Sequence, residues 1–263
     1  MILRSILSPV YAHRLRCRPM RLASPIRTVL TVANGLLVTA MASIAVTIVG
    51  LIRPESPWVD KIAVAWAKAC LWPSGVRLDI RGADNVDPDT SYVVVSNHQS
   101  TFDIMAHFIA IPVPIRFLAK KELFSVPLLG WALKAMSMVP VDRRAHSSYR
   151  KVEEGALRVA ELGKSIIVYP EGTRTRDGNL LPFKRGAFAI AVHTGLPILP
   201  TTIYGGNKAW VPNQKRIEGG PITVSIGAPI PTAGLTDGDV SRLRDETKAV
   251  IQDTLDELSR VLP

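Results

Sequence analysis

The sequence predicts an α/β protein with a mixed, largely parallel central sheet flanked by helices, preceded by an N-terminal membrane-embedded helical hairpin. From about residue 76 onward, short β-rich runs alternate with helical segments. The runs 93–95 and 166–168 are continuously apolar, which is typical of strands in a sheet covered on both faces. The hairpin is predicted by the uncharged stretch over residues 29–52.

The net charge of +10 is unevenly distributed along the 263 residues. Residues 1–28 contain six arginines and no acidic residue, whereas the remainder holds 26 basic and 22 acidic residues. Such a basic arm favours contact with a local anionic surface and argues against a protein that coats nucleic acid. Because 47% of the residues are hydrophobic, wholesale disorder is excluded. Cys17 and Cys70 are too few for a disulfide framework or a cysteine-only metal site.

Residues 29–52 are long enough to cross a membrane, because a helix of this length reaches about 36 Å against a hydrocarbon core about 30 Å thick. A cleaved signal peptide is the alternative, since Ala40-Met41-Ala42 resembles a cleavage site, but the apolar run continues beyond it. Small or polar residues recur at every fourth position, which lets a second helix approach closely. They are Thr31, Gly35, Thr39, Ser43 and Thr47.

A second apolar helix is predicted over residues 58–72, after the turn Arg53-Pro54-Glu55-Ser56-Pro57. Its three rings, Trp58, Trp66 and Trp72, favour the headgroup level of a bilayer. A hairpin that returns to its starting face keeps the leader and the following domain on one side, whereas a single full crossing separates them. We prefer the hairpin.

The predicted organisation is a basic cytoplasmic leader over 1–28, a membrane-embedded two-helix segment over 29–75 and an α/β domain over 76–263. Within this domain the carboxyl ends of parallel strands meet at one edge, where ligands gather. Strands are predicted over 77–81, 92–96, 115–119, 138–141, 165–169, 198–204 and 222–226, and helices over 101–110, 127–136, 147–162, 185–194 and 235–262.

His98 and Asp103 form the first polar cluster at this edge, directly after the strand predicted over 92–96. If the next helix begins near Ser100, the Asp103 carboxylate can fold back onto the imidazole. A carboxylate that orients a histidine and stabilises its imidazolium makes the histidine a general base. The alternative is structural, because Ser100 and Asp103 also have the spacing of a capping box.

A second cluster, residues 169–176, follows another buried strand. Gly172 permits close backbone approach, and Arg174 and Arg176 carry planar guanidinium groups suited to phosphate. Cations at further strand ends and helix starts also suit an anion. They are Lys120, Lys121, Arg143, Arg144, Lys184 and Arg185. An ordinary polar loop or solvated face is the alternative for each group.

Together these clusters resemble the glycerolipid acyltransferases typified by 1-acyl-sn-glycerol-3-phosphate acyltransferase, over about residues 90–205. Asn97-His98-x4-Asp103 is similar to the catalytic motif of that family. Glu171-Gly172-Thr173-Arg174 matches its block associated with glycerophosphate binding. The stretch from Gly130 to Arg143 resembles the second block, whose arginine contacts the acceptor phosphate. Leu196-Pro197-Ile198-Leu199-Pro200 resembles the proline-containing block linked to acyl-donor binding or packing.

The resemblance implies an O-acyltransferase that makes phosphatidic acid from lysophosphatidic acid in phospholipid biosynthesis. The acyl donor would be acyl-CoA or acyl carrier protein as co-substrate, with no further cofactor and no metal. His98 and Asp103 would be catalytic, and the acceptor phosphate would be held by Arg143, Glu171, Gly172, Thr173, Arg174 and Lys184. The expected location is the inner membrane, with the site on the cytoplasmic face and lipid, not nucleic acid, as partner.

Three alternatives stay open from the sequence. The acceptor can be another lysolipid, such as a lyso-aminolipid. The reaction can be hydrolysis of acyl thioesters, which would release free acid without an acceptor. The chain can also be a non-catalytic membrane module that only binds anionic lipid.

Overall fold

The structure is a computed structural model that describes residues 13–14, 23–142 and 149–262. Arg143 and most of the predicted basic leader therefore lie outside the described residues. The helices are α1 Ser24–Ile52, α2 Pro57–Leu71, α3 Phe102–Ala110, α4 Leu129–Ala135, α5 Tyr149–Glu161, α6 Gly186–Thr194, α7 Gly206–Ala209 and α8 Val240–Val261. The strands are β1 His13–Arg14, β2 Val76–Arg81, β3 Val93–Ser96, β4 Ile115–Lys120, β5 Val139–Val141, β6 Ser165–Val168, β7 Ile198–Tyr204 and β8 Gly220–Ile226.

The described strands form one mixed sheet in the order β1-β2-β8-β7-β3-β6-β4-β5. The β1/β2 and β7/β8 pairs are antiparallel and the other neighbouring strands are parallel. In the centre, Val94 of β3 pairs with Ile167 of β6 on one side and with Leu199 of β7 on the other. The predicted α/β class and largely parallel sheet are thus confirmed, and β3, β4, β6 and β7 all end at the same edge.

Helices cover both faces of the sheet, which explains why its central strands are apolar without alternation. On β3, Val94 packs in a core shared with α1, α2, α3 and α4. Its neighbours Val93 and Val95 point to the opposite face, in a core shared with α5, α6 and α8. All three valines are fully buried. The two-helix hairpin and α8 therefore lie on opposite faces of the sheet.

The first two helices form a packed hairpin, as the spacing of small residues predicted. The indole Nε1–H of Trp66 donates to Thr39 Oγ1 at 2.9 Å, and the Asn34 amide donates to the Ala69 carbonyl at the same distance. Ala63 and Ala67 are buried in the contact. Trp66 therefore faces inward, whereas Trp58 and Trp72 at the ends of α2 are exposed. Among the described residues, α1 is the helix long and apolar enough to cross a membrane.

Two helix boundaries differ from the sequence prediction for local reasons. The helix expected from residue 127 begins at Leu129, because Leu128 has a φ of 63° and is not helical. The helix expected from residue 235 begins at Val240. It follows a short 3-10 turn in which Thr236 and Asp239 form a capping box.

Candidate active site

Asn97 fixes the turn that follows β3. Its side-chain amide donates to the Ile203 carbonyl at 2.9 Å, and its Oδ1 accepts from the Ile203 N–H at 2.7 Å. Both bonds connect to the neighbouring strand β7. The Asn97 side chain thus takes the place of a backbone hydrogen-bonding partner where β3 ends. The following residue, His98, is thereby held at the carboxyl edge of the sheet.

Asp103 lies in the first turn of α3 and folds back onto this turn. His98 Nδ1 lies 2.8 Å from Asp103 Oδ2, which also accepts from the backbone N–H groups of Gln99 at 2.6 Å and Ser100 at 2.8 Å. The carboxylate is fully buried. The carboxylate therefore contacts the backbone of the turn and the imidazole at the same time.

This geometry leaves His98 Nε2 for a substrate. In the tautomer whose Nδ1–H donates to Asp103, the other ring nitrogen, Nε2, is the acceptor. The second carboxylate oxygen, Asp103 Oδ1, is buried and has no hydrogen-bond partner among the described residues. Gly206 packs beside it, and a Cβ added there would lie 2.8 Å from Oδ1. Gly206 is thus needed for the carboxylate to occupy this position.

Tyr169, directly after β6, covers one face of the His98 ring. The rings of His98 and Tyr169 are stacked with centroids 3.9 Å apart and planes 10° apart. The Tyr169 hydroxyl in turn lies 3.2 Å from Nδ1 of His107, whose Nδ1–H also donates to the Asp103 carbonyl at 2.7 Å. Burial lowers the pKa of His107 to about 4, so this second histidine is neutral at physiological pH.

Glu171, which the resemblance implied as part of the phosphate site, is buried. Its carboxylate turns inward, accepting from the His98 N–H at 2.7 Å and the Leu181 N–H at 3.0 Å. Burial raises the pKa of Glu171 to about 7. A carboxylate also repels phosphate. The two hydrogen bonds instead connect the His98 turn to the loop over residues 171–181.

Of the predicted cations, Arg174 and Lys184 lie at the loop that follows β6, whereas Arg185 donates to the Asp237 carbonyl at 2.8 Å. Arg174 donates from Nη1 to Thr101 Oγ1 at 2.6 Å, next to the start of α3. The exposed side chain of Lys184 passes over Gly172, where an added Cβ would lie 2.6 Å from the lysine Nζ. Gly172 has a φ of 72°, which favours glycine. Thr173 is exposed in this loop, and Arg143 lies outside the described residues.

An apolar cavity of about 350 Å³ extends from His98 into the space between the hairpin and the sheet. Its walls come from α1, α2, α3, α4 and β4. Among the lining residues are Ser43, Trp66, Phe108, Phe117, Leu133 and Met138. At the polar end His98 is joined by Thr101, Tyr169 and Lys120. A cavity of this composition suits an acyl chain whose reacting end lies at the imidazole.

Several residues of the site were not predicted from the sequence. Tyr169 was placed in the right cluster without a role, and Gln99, whose Oε1 accepts from the Gly206 N–H at 3.1 Å, was not singled out. Gly205-Gly206 directly follows β7, and a glycine pair after a strand that ends at the site edge was a usable signal. Residues 23–142 and 149–262 hold no group of three or more His, Cys, Asp or Glu arranged for a metal ion.

Known proteins resemble this chain in sequence and in fold. Residues 77–204 match the Acyltransferase family. The chain is 37% identical to 1-acyl-sn-glycerol-3-phosphate acyltransferase BAT2, chloroplastic, of Brassica napus over 171 residues, which cover 64% of this chain and 49% of that protein. It is 27% identical to the 1-acyl-sn-glycerol-3-phosphate acyltransferase of Pseudomonas aeruginosa over 248 residues, or 90% and 95% of the two chains.

A solved structure has the same fold. The 1-acyl-sn-glycerophosphate (LPA) acyltransferase PlsC of Thermotoga maritima is 24% identical, with a TM-score of 0.77 over 90% of this chain and 96% of that one. The chain spans about half the length of the Brassica napus relative and 62% of the human 1-acyl-sn-glycerol-3-phosphate acyltransferase alpha. The resemblance inferred from the motifs is confirmed for the segment that carries them, because residues 77–204 of this chain match the Acyltransferase family.

Proposed function

We propose that this chain transfers an acyl group from an acyl thioester to the free hydroxyl of lysophosphatidic acid, giving phosphatidic acid. The observation that carries the proposal is the His98–Asp103 pair, 2.8 Å apart, at the polar end of an apolar cavity of about 350 Å³. The names of the relatives, which are 1-acyl-sn-glycerol-3-phosphate acyltransferases, support the same acceptor.

The chemical step is a direct transfer. His98 Nε2 removes the proton of the acceptor hydroxyl while that oxygen attacks the thioester carbonyl carbon, and Asp103 stabilises the imidazolium that forms. The tetrahedral intermediate collapses as the C–S bond breaks, and the departing sulfur takes the proton back from His98. Overall, the acceptor oxygen gains the acyl group and the departing thiol gains the proton. This balance needs no cofactor, metal or covalent acyl-enzyme.

The cations beside the pair give the acceptor its orientation. Arg174 is anchored on Thr101, three residues from His98 in the chain, and Lys184 lies over Gly172. Lys120 lines the cavity at the same end as His98. We assign these three side chains to the phosphate, together with Arg143 from the family resemblance. Holding the phosphate fixes which hydroxyl reaches Nε2.

We also propose that the hairpin lies along one leaflet of a membrane and does not cross it. Near the start of α1, Ser24 donates to the Ile217 carbonyl at 3.1 Å, and Thr28 accepts from the Ile217 N–H at 2.9 Å. Beyond its far end, Glu55 forms an ion pair with the buried Lys164 at 2.5 Å. A helix tied to the α/β domain at both ends runs along that domain, with its apolar outer face free for lipid.

The test is an assay of the purified full chain in detergent with radiolabelled lysophosphatidate and either acyl-CoA or acyl carrier protein carrying the same chain. We expect labelled phosphatidate from the wild type and a loss of at least about a thousandfold for His98→Ala. His193→Ala is the matched control, because that histidine lies on α6, is not among the residues that line the cavity, and contacts Glu153 and Asp237 in the described part of the chain.

The outcomes separate the alternatives. Substantial activity in folded His98→Ala protein would refute the mechanism. Faster acylation of a lyso-aminolipid than of lysophosphatidate would show that the lyso-aminolipid is the preferred acceptor. Free fatty acid released without acceptor would indicate a thioesterase, and liposome binding without any turnover would indicate a lipid-binding module.

A further inference from the structure

The segment over residues 121–135, between β4 and β5, forms a wall between the cavity and the outside. It consists of the 3-10 helix Lys121–Ser125, a turn at Pro127-Leu128, and α4. Its inner side chains, Leu129, Ala132 and Leu133, line the cavity that begins at His98. The segment therefore separates the proposed acyl site from the surroundings of the protein on this side.

The outer side of the same segment is also apolar. Trp131 is 58% exposed, Val126 is 44% exposed and Leu123 is 40% exposed. Leu123 belongs to both sides, because it also lines the cavity. A wall that is apolar on both sides is unusual for a surface facing water, since large exposed apolar patches generally mark an interaction site.

This outer surface continues into the apolar outer face of α1. The two helices touch where Ala135 of α4 meets Gly50 of α1, so closely that a Cβ on Gly50 would lie 2.8 Å from the Ala135 Cβ. Trp131 lies one helical turn before Ala135 and hence on the same side of α4. Next to Gly50, Ile48 and Leu51 of α1 are exposed. Trp131 thus extends the surface that α1 presents.

We propose that the 121–135 segment is itself immersed in the lipid bilayer and forms a lateral port through which acyl chains pass between the bilayer and the cavity. The proposal rests on the seating of the hairpin along one leaflet proposed above. Lipid is the occupant because the surface is continuous with α1 and because lysines flank it. Lys121 and Lys134 are both exposed, and lysine next to tryptophan is the pattern of a membrane interface.

The backbone of the turn supports this role. Leu128 has a φ of 63° and a ψ of −58°, a region that a leucine rarely adopts. Gly130 packs on the Phe124 backbone so closely that an added Cβ would lie 2.2 Å from the Phe124 carbonyl oxygen. The fold therefore holds Val126 and Pro127 outward in one fixed, strained turn.

A contact measurement tests the location directly. In a Cys17→Ser background, a bimane label on Val126→Cys is expected to be quenched when the full chain is bound to vesicles of brominated phosphatidylcholine and phosphatidylglycerol. The control is Val261→Cys, which is 64% exposed at the end of α8, on the opposite face of the sheet. Equal quenching of the two labels, or none at Val126→Cys, would overturn the proposal.

An activity measurement tests the port. Trp131→Glu should lower acylation of long-chain lysophosphatidate embedded in those vesicles by about tenfold or more, because a carboxylate resists insertion into lipid. Acylation of short-chain lysophosphatidate by short-chain acyl-CoA, both monomeric in water, should change by less than about twofold, and Val261→Glu should change neither rate. An equal loss with both substrate pairs would overturn the port.

The two proposals fail in different ways. If the wild type transfers no acyl group with either substrate pair, the proposed function fails, and the quenching of the Val126→Cys label still decides whether the segment is in lipid. If the wild type is active and the Trp131→Glu variant is unaffected in vesicles, only the port is refuted.

Discussion

The imidazole of His98 and the phenol ring of Tyr169 are stacked face to face, with centroids 3.9 Å apart. The contact joins the turn after β3 to the turn after β6, two neighbouring strands that end at the same edge. Asp103 fixes the ring from its Nδ1 side, whereas Tyr169 restricts its tilt. Together the two contacts restrict the orientation of the imidazole, which lines the cavity.

Loss of the stacked ring should therefore reduce turnover. Tyr169→Leu is expected to lower kcat by about tenfold, the equivalent of an aromatic stacking energy of roughly 1.4 kcal/mol, while KM for the lysophosphatidate changes little. Tyr169→Phe keeps the ring and should stay within about threefold of wild type, because His107 still donates to the Asp103 carbonyl. Steady-state kinetics of both variants check this. A Phe variant as slow as the Leu variant would contradict the stacking argument.

Gly206→Ala should impair catalysis without unfolding the protein. The added Cβ would lie 2.8 Å from Asp103 Oδ1, so the carboxylate must shift away from His98. A misplacement of about 1 Å in a catalytic group costs about a hundredfold in rate, and we expect a loss of this order in kcat. Gly238→Ala is the matched control, because the described atom nearest to its added Cβ is Thr236 Oγ1, at an ordinary contact distance of 3.6 Å. Unchanged kcat in Gly206→Ala would show that the carboxylate tolerates displacement.

The stability of the fold should depend on the protonation of Glu171. Burial raises the pKa of this carboxyl from 4.5 to about 7, so folding favours its neutral form. The stabilisation is complete below about pH 4.5 and is lost as the pH rises through 7, amounting to roughly 3 kcal/mol. Between these pH values the free energy of unfolding should fall more steeply for wild type than for Glu171→Gln. Parallel pH profiles from denaturant titration would disprove the assignment.

The hairpin should depend on a buried ion pair. Arg116 of β4 is 1% exposed and donates from Nη1 to Asp60 of α2 at 2.5 Å. Asp60→Ala leaves this guanidinium without its carboxylate and should reduce the free energy of unfolding by about 3 to 5 kcal/mol. Asp79→Ala removes the partner of the more exposed Arg81 and should cost about 1 kcal/mol or less. Similar unfolding midpoints for the two variants in the same detergent would argue against the buried pair.

Much of the fold was accessible from the sequence because it depends on local patterns. The continuous apolar runs predicted the strands that are covered on both faces, and the small residues of α1 predicted its contact with α2. Boundaries failed where the backbone departs from the pattern. Leu128 at φ 63° delays α4, and the capping box at Thr236 delays α8.

The sequence by itself determined the order of the elements, the family, and the pair His98 and Asp103, because those two residues share one turn and can meet without help from elsewhere. Only the tertiary structure decided that Glu171 turns inward, that Tyr169 stacks on the imidazole and that Gly206 makes room for Asp103. These contacts join residues far apart in the chain. The strand order that brings those residues to one edge of the sheet cannot be predicted from any local sequence pattern. The cavity has the same origin, since its walls come from five separate elements.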